Sequence, residues 1–330
     1  MKTMITGLRP TGSITLANYI GGIKNFVLNQ YNYQSIIFIA DLHGLTTYIE
    51  PNEIKANILD ITALYLACGI NLEHTIIFKQ SDVLEHGTLG FLISFQSSVG
   101  ELLRMTQYKS KKEKLSKKDK DMGLFIYPTL MAADILLYDA SIVPVGMDQK
   151  QHIEITRDLG NRFNKIYGPT FILPEYQIPK IGAKIMNLQN PSIKMSKSAA
   201  KNDLGTIFIL DDINITKEKI RKAQTDSENK IYFDEEKKPG ISNLISIMAV
   251  LNNISIKQVV NKYQNYNYKE FKEAVAETVS QFVLLIQNKF YEYRQDEEYL
   301  KQILENGAQK ARKIAHDKLN DVYAKIGIKL

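Results

Sequence analysis

Lys194-Met195-Ser196-Lys197-Ser198 places two lysines three residues apart in a loop with two serines. Ammonium groups at that spacing can both reach one polyphosphate and neutralise charge that develops during phosphoryl or nucleotidyl transfer. Near the start, Arg9-Pro10-Thr11-Gly12-Ser13-Ile14-Thr15-Leu16-Ala17-Asn18 runs from a turn into a segment of helical periodicity. A turn that opens a helix offers an anion free backbone N–H groups and the positive end of the helix dipole. Thr15 and Asn18 add two hydrogen-bonding side chains at helical spacing. The same turn also reads as an ordinary strand-to-helix connection, and the Lys/Ser run as a solvated basic loop. A third feature is Asp134, alone among Met131, Ala132, Ala133, Ile135 and Leu136. A carboxylate in an apolar helix needs a partner. That partner is either a basic neighbour or a donor on a substrate.

The elements that must position these residues follow from hydrophobic patterning. Residues 2–7, 35–40, 75–78 and 142–145 read as short buried strands. Between the first two, Ser13 is placed to cap a helix with Ala17, Ile20, Ile23 and Val27 on one stripe. Pro51 suits the first turn of the next helix, with Ile54, Ile58, Ile61 and Tyr65 on its apolar stripe. Strands alternating with helices imply a parallel sheet covered on both faces, with ligands at the carboxyl ends of the strands. Gly7, Asp41 and Gly146 fall at those ends. A helical insertion is expected at about 100–140, its apolar helix from Leu124 to Tyr138 interrupted by Pro128. From about residue 216 the pattern is helix after helix. The expected domains are therefore 1–205, α/β and Rossmann-like, and 206–330, all-helical.

Composition narrows the chemistry. The chain has 330 residues, 44% of them hydrophobic, with 42 Lys+Arg against 36 Asp+Glu. That length suits two domains and needs no covalent staple. With a single cysteine, Cys68, disulfide scaffolds, cysteine-based zinc sites and iron–sulfur clusters are excluded. No apolar run approaches the roughly 18 residues of a membrane span, and Met1-Lys2-Thr3-Met4 opens no secretory signal, so the expected location is the cytoplasm. His74, His86, His152 and His316 lack metal-ligand spacing and read as structural or surface residues. The lysines from Lys109 to Lys120 suit either RNA phosphates or a solvated loop.

The two loops occur together with Gly100-Glu101-Leu102-Leu103-Arg104-Met105-Thr106-Gln107, the Ala-Ala-Asp helix at 132–134, Gly146-Met147-Asp148-Gln149 and Lys238-Pro239-Gly240-Ile241-Ser242-Asn243-Leu244. In this combination the chain resembles the bacterial-type tryptophanyl-tRNA synthetases of class I, over essentially its whole length. Thr15-Leu16-Ala17-Asn18 stands where that class has its HIGH-type motif, and 194–198 reads KMSKS without a change.

The resemblance implies tryptophan activation by ATP, then transfer to the 3′ end of tRNA(Trp), by a cytoplasmic homodimer. By the same resemblance ATP meets Arg9, Pro10, Thr11, Ala17, Asn18, Gly146, Met147, Asp148 and Ile185. The loop residues Lys194, Met195, Ser196, Lys197 and Ser198 complete that set, with Lys111 as a third cation, Thr15 and Asn18 among the catalytic residues and Mg²⁺ arriving with the nucleotide. Asp134 is then the indole acceptor. Ile5, Met131, Val143 and Val145 line the pocket with His43 nearby, and Tyr127 and Gln149 take the α-ammonium. Core packing remains a competing account of Met131 and the two valines.

By the same likeness, residues from about 206 to 290 read the anticodon and the last helices return to the catalytic domain. Lys217, Lys219, Arg221 and Lys222 form a basic stretch there. The apolar helices between Glu101 and Tyr138 are the expected dimer interface. Two positions depart from the family pattern: Ala17 stands for a glycine and Ile5 for an aromatic residue. The alternatives are a tyrosyl-tRNA synthetase and a silent RNA-binding paralogue.

Overall fold

The computed structural model describes residues 1–112, 121–146, 149–177, 184–197, 199–200 and 202–329; for 110–112 and 121 it describes the backbone alone. The expected contributions of Lys111, Met147, Asp148 and Ser198, and of the lysines after 112, lie outside what is described. Five parallel strands form one sheet: β1 (Thr3–Leu8), β2 (Gln34–Ile39), β3 (Thr75–Lys79), β4 (Ala140–Pro144) and β5 (Glu175–Gln177), in the order β3-β2-β1-β4-β5. The first four match the apolar runs in the sequence. Glu175-Tyr176-Gln177 carries no such run, and only its pairing with β4 makes it a strand.

Successive side chains of each strand face opposite layers. Met4, Ile37 and Ile39 enter one core, and Ile5, Ile36 and Phe38 enter the other. The sheet is thus apolar on both faces, as parallel sheets are. Strand order reverses between β1 and β4, and in such sheets the crevice beyond the carboxyl ends at the reversal is where ligands bind. Arg9 follows β1 and Gly146 follows β4, so both stand beside that crevice.

The first helical segment differs from expectation at its start. Thr15, not Ser13, is the N-cap of α1 (Leu16–Asn18), because Ile14 and Thr15 are first drawn into pairing with residues 207–209. The chain then passes through a π-helical turn (Tyr19–Ile23) into α2 (Lys24–Asn29).

α3 (Asp41–Gly44) and α4 (Pro51–Ala67) follow β2; α5 (Glu85–Ser94), α6 (Val99–Leu103), α7 (Thr106–Lys112) and α8 (Asp121–Leu136) lie between β3 and β4. Pro128 does not interrupt α8. A proline removes one ladder bond, and α8 is packed between α5 and α9 (Lys150–Tyr167), which hold it through the defect.

The C-terminal part is α10 (Ile213–Arg221), α11 (Pro239–Leu251), α12 (Ile256–Tyr263), α13 (Tyr268–Arg294) and α14 (Glu297–Ile326). α13 packs on α4, and α14 runs back over β3 and α5. The contact with β3 requires Gly307, whose added Cβ would fall 1.7 Å from the Ile77 carbonyl oxygen. Among the described residues no single helix is long and apolar enough to cross a membrane.

Candidate active site

Two separate chemistries gather at the carboxyl ends of the strands. The first is cationic. Lys197 Nζ donates to the carbonyl oxygen of Arg9 at 2.9 Å. Burial, and then the Arg9 charge, bring the Lys197 ammonium down to about 7. Burial also lowers Arg9, though a guanidinium keeps its charge. Gly12 completes the turn beneath Lys197 with φ +64°, and an added Cβ would meet the Lys197 carbonyl at 3.2 Å. A cavity of about 470 Å³ opens here, lined by Gly12, Ser13, Asn57, Lys197 and Phe208 among others. Glu53 and Asp60 also line this cavity, and Asp60 is paired with Arg294. Two cations, one of which depresses the other in this way, suit a polyphosphate, whose charge would relieve both.

The signature loop hangs from a short antiparallel bridge. Met186 pairs with Lys194, and Met195 N–H donates to the Ile185 carbonyl at 3.0 Å. Ile185 and Met195 are buried in the core that supports the bridge, whereas Lys194 and Ser196 face outward. Asn243 of α11 grips the other side of Met186. Its Oδ1 accepts from the Met186 N–H at 2.9 Å and its Nδ2 donates to the Met186 carbonyl at 3.0 Å.

Thr15 and Asn18 are occupied with each other. Asn18 Oδ1 accepts from Thr15 N–H at 3.1 Å and Oγ1 at 2.9 Å, while Thr15 Oγ1 accepts from Asn18 N–H at 3.2 Å. This is a capping box, which satisfies helix-start donors and fixes the entry angle. Thr15 and Ala17 are buried, whereas Asn18 is half-buried.

The second chemistry is a buried carboxylate. Asp134, fully buried on α8, receives His43 Nε2 on Oδ2 at 2.7 Å and His86 Nδ1 on Oδ1 at 2.6 Å. Gln80 Nε2 donates to Oδ1 at 2.7 Å. Burial pushes the Asp134 carboxyl up, but His43, and after it His86, outweigh burial and hold it down at about 2. An ionised carboxylate only accepts, so His43 Nε2 and His86 Nδ1 both carry protons toward it. The basic-neighbour reading of Asp134 is therefore correct, and it leaves the substrate reading open.

His86 and Gln80 were not singled out for this place, because nothing local distinguishes them. A polar pair at the end of an apolar strand was the one available signal. Gln80 Oε1 is buried with no hydrogen-bond partner among the described residues, a state that costs about 1–3 kcal/mol.

Around Asp134, one cluster contains Ile5 and Val143 in its buried core, with Tyr127, Met131 and Val145 packed against it. Tyr127 Oη lies 2.5 Å from His152 Nε2 and 3.3 Å from Gln107 Oε1, and burial raises its phenol well above the ordinary value. Its ring meets the His43 ring edge-on at 6.0 Å. Gln149 N–H donates to the Gly146 carbonyl at 3.0 Å, which turns the chain from β4 into α9. Ile5, Tyr127, Met131, Val143 and Val145 thus share one cluster, and His43 meets it through the Tyr127 ring. Pro10 is buried, and Arg9 and Thr11 are half-buried at the crevice. The larger cleft, about 920 Å³, lies at the opposite ends of the strands, against Lys2, Thr3, Gln34 and Ser141.

The basic stretch on α10 does not form a positive face. Lys217 pairs with Glu277, Arg221 with Glu273 and Lys222 with Glu218. Lys219 is buried between Asp211 and the Thr206 carbonyl. Two of the four acids, Glu273 and Glu277, come from α13, which no local reading of 217–222 could include.

A family model described as class I tRNA synthetases (W and Y) matches residues 1–283. The chain belongs to this family of class I tRNA synthetases. A Mycoplasmopsis pulmonis tryptophan–tRNA ligase is 46% identical to this synthetase over 99% of the chain and 98% of the relative. A Mycoplasma pneumoniae tryptophanyl-tRNA synthetase structure superposes with TM-score 0.91 at 37% identity, covering 99% of this chain and 98% of the other. The Campylobacter jejuni enzyme, solved with ADP and tryptophan, gives 0.80 at 35%, covering 99% and 100%.

Proposed function

We infer that this synthetase is a bacterial-type tryptophan–tRNA ligase. The observation that carries its specificity is the fully buried Asp134, held by His43, Gln80 and His86 on a helix that packs into the apolar cluster of Ile5 and Val143. Indole is an apolar plate with one N–H donor, and Asp134 is a carboxylate on a helix whose adjacent residues Ala133 and Ile135 belong to the same apolar cluster as Ile5 and Val143. Its histidine and glutamine partners leave Asp134 one acceptor direction for that donor.

In the first step a tryptophan carboxylate oxygen attacks the α-phosphorus of ATP. A P–O bond forms, the bond to the β-phosphate oxygen breaks, and pyrophosphate leaves with the electron pair. The nucleophile is already an anion, so positioning and charge stabilisation suffice. Arg9, Lys194 and Lys197 neutralise the phosphates, with Lys111 as a further cation. Pro10, Thr11, Ala17, Asn18, Gly146, Met147, Asp148 and Ile185 hold the nucleoside side of ATP, with Thr15 capping the helix beneath it. Met195, Ser196 and Ser198 belong to the loop that carries the two lysines. Tyr127 and Gln149 take the α-ammonium. Mg²⁺ enters with ATP, whose phosphates suit Lys197 and Arg9. In the second step a 3′-terminal hydroxyl of tRNA(Trp) attacks the activated carbonyl and AMP departs.

The region from 206 to about 290 is the anticodon reader, with α14 returning to the 1–205 domain. The enzyme works as a cytoplasmic homodimer. Supporting the dimer, Leu103, Met122 and Ile126 of the insertion are exposed, as are Phe91, Phe95 and Val99 just before it.

Amino-acid-dependent ATP–pyrophosphate exchange with tryptophan, tyrosine and phenylalanine tests the reading. Exchange with tryptophan alone is expected, with phenylalanine rejected by about 10⁴–10⁵. Asp134→Asn should weaken tryptophan far more than ATP, and equal losses would overturn its role.

A further inference from the structure

The carboxylate of Asp134 has two oxygens and four acceptor directions. Oδ1 takes two donors, Gln80 Nε2 and His86 Nδ1, at 2.7 and 2.6 Å. Oδ2 takes His43 alone, at 2.7 Å. The open direction is thus on Oδ2, beside His43. We propose that Gln80 and His86 are specificity-positioning residues: by filling Oδ1 they fix the carboxylate so that Oδ2 is aimed at the indole N–H. This rests on the reading of Asp134 as the indole acceptor.

Carboxylate torsions are broad and nearly two-fold, so an aspartate does not orient itself. Here four elements converge to do so: α3 brings His43, the turn after β3 brings Gln80, α5 brings His86 and α8 brings Asp134. His86 is itself held from behind. Its Nε2 lies 2.8 Å from Tyr138 Oη, and its ring packs 5.8 Å from Phe38 and 5.7 Å from Phe78. Burial raises the Tyr138 phenol, so it remains protonated and donates to Nε2, leaving the Nδ1 proton for Asp134.

A purely structural network would satisfy both ends of its amide. Gln80 does not: it is fully buried, donates to Asp134, and leaves Oε1 without a described partner. Its fit is to the carboxylate and to nothing else. Removing one partner of a buried charge destabilises the fold, so the test reads a ratio between two substrates and not activity alone.

The test is the ratio of kcat/KM in ATP–pyrophosphate exchange for tryptophan and for β-(benzothiophen-3-yl)alanine, in which sulfur replaces the N–H. Gln80→Met and His86→Phe should each lower the ratio by about tenfold or more, through a higher tryptophan KM at little-changed kcat, with the analogue unaffected. His86→Asn, which offers an amide N–H where Nδ1 stood, should restore most of the ratio. Gln80→Met removes a donor to the buried Asp134 carboxylate along with the unpaired Oε1, so a lower melting temperature is expected and kcat/KM is read well below it. Equal losses for both substrates, or an unchanged ratio, would overturn the proposal. If His86→Phe does not fold, Gln80→Met decides. Asp134→Asn separates the layers: an unchanged ratio there would sink the indole reading itself. A ratio lost in Asp134→Asn but kept in Gln80→Met and His86→Phe would sink only the positioning role.

Discussion

Lys197 and Arg9 stand 188 positions apart in sequence, yet the lysine ammonium donates to the arginine carbonyl at 2.9 Å. The contact ties the signature loop to the turn after β1. It also leaves an ammonium near neutrality, brought to about 7 by burial and by Arg9.

That value has a thermodynamic sign. The unfolded chain holds the Lys197 proton up to its ordinary 10.5, whereas the folded chain releases it near 7. Between those values the unfolded state binds more protons, so this group makes stability rise with pH. Lys197→Met should therefore raise the melting temperature of the nucleotide-free enzyme most below pH 7, with the advantage gone above about 10.5. ATP should reverse the shift by supplying negative charge. Calorimetric titration near pH 7.5 in buffers of different ionisation enthalpy should show proton uptake on ATP binding, and Lys197→Met should abolish it.

Asn243 makes two hydrogen bonds to the Met186 backbone. Each such bond contributes about 1 kcal/mol net, so Asn243→Ala should cost about 2 kcal/mol in denaturant unfolding. Because Met186 bridges to Lys194, pyrophosphate exchange should fall as well. ATP affinity should suffer more than tryptophan affinity, since the loop holds phosphates. Unfolding curves and substrate-specific KM values check both parts.

Phe91 and Phe95 are 66% and 68% exposed and stack edge-on with centroids 5.0 Å apart. Burying a side chain of this type contributes about 1.5–3 kcal/mol. The double change Phe91→Lys with Phe95→Glu should convert a dimer into monomers by light scattering at micromolar concentration. Melting temperature should change little once the chain is monomeric, because neither ring belongs to the internal core.

The features readable in the sequence were those with a local physical cause. Four strands are apolar runs, and they read that way because both faces of a parallel sheet are dry. The Lys194–Lys197 loop and Asp134 stood out because their charges conflict with their surroundings in any conformation. The start of the first helix was misplaced because Thr15 is set by pairing between Ile14 and Ile209, nearly two hundred residues away in the chain. Pro128 suggested a break that neighbouring helices override, and β5 exists only as a partner of β4.

Only tertiary structure decided how the charges are spent. Two of the four cations at 217–222 pair with acids on α13 and the other two with Glu218 and Asp211, so a basic stretch in sequence is no basic surface in space. His86 and Gln80 became parts of the Asp134 site because β3, α5 and α8 meet at one point. Propensity and hydrophobic pattern act over a few residues and are written in composition. Hydrogen bonds and ion pairs act over a few ångströms, and which residues lie that close is settled only when the chain has folded.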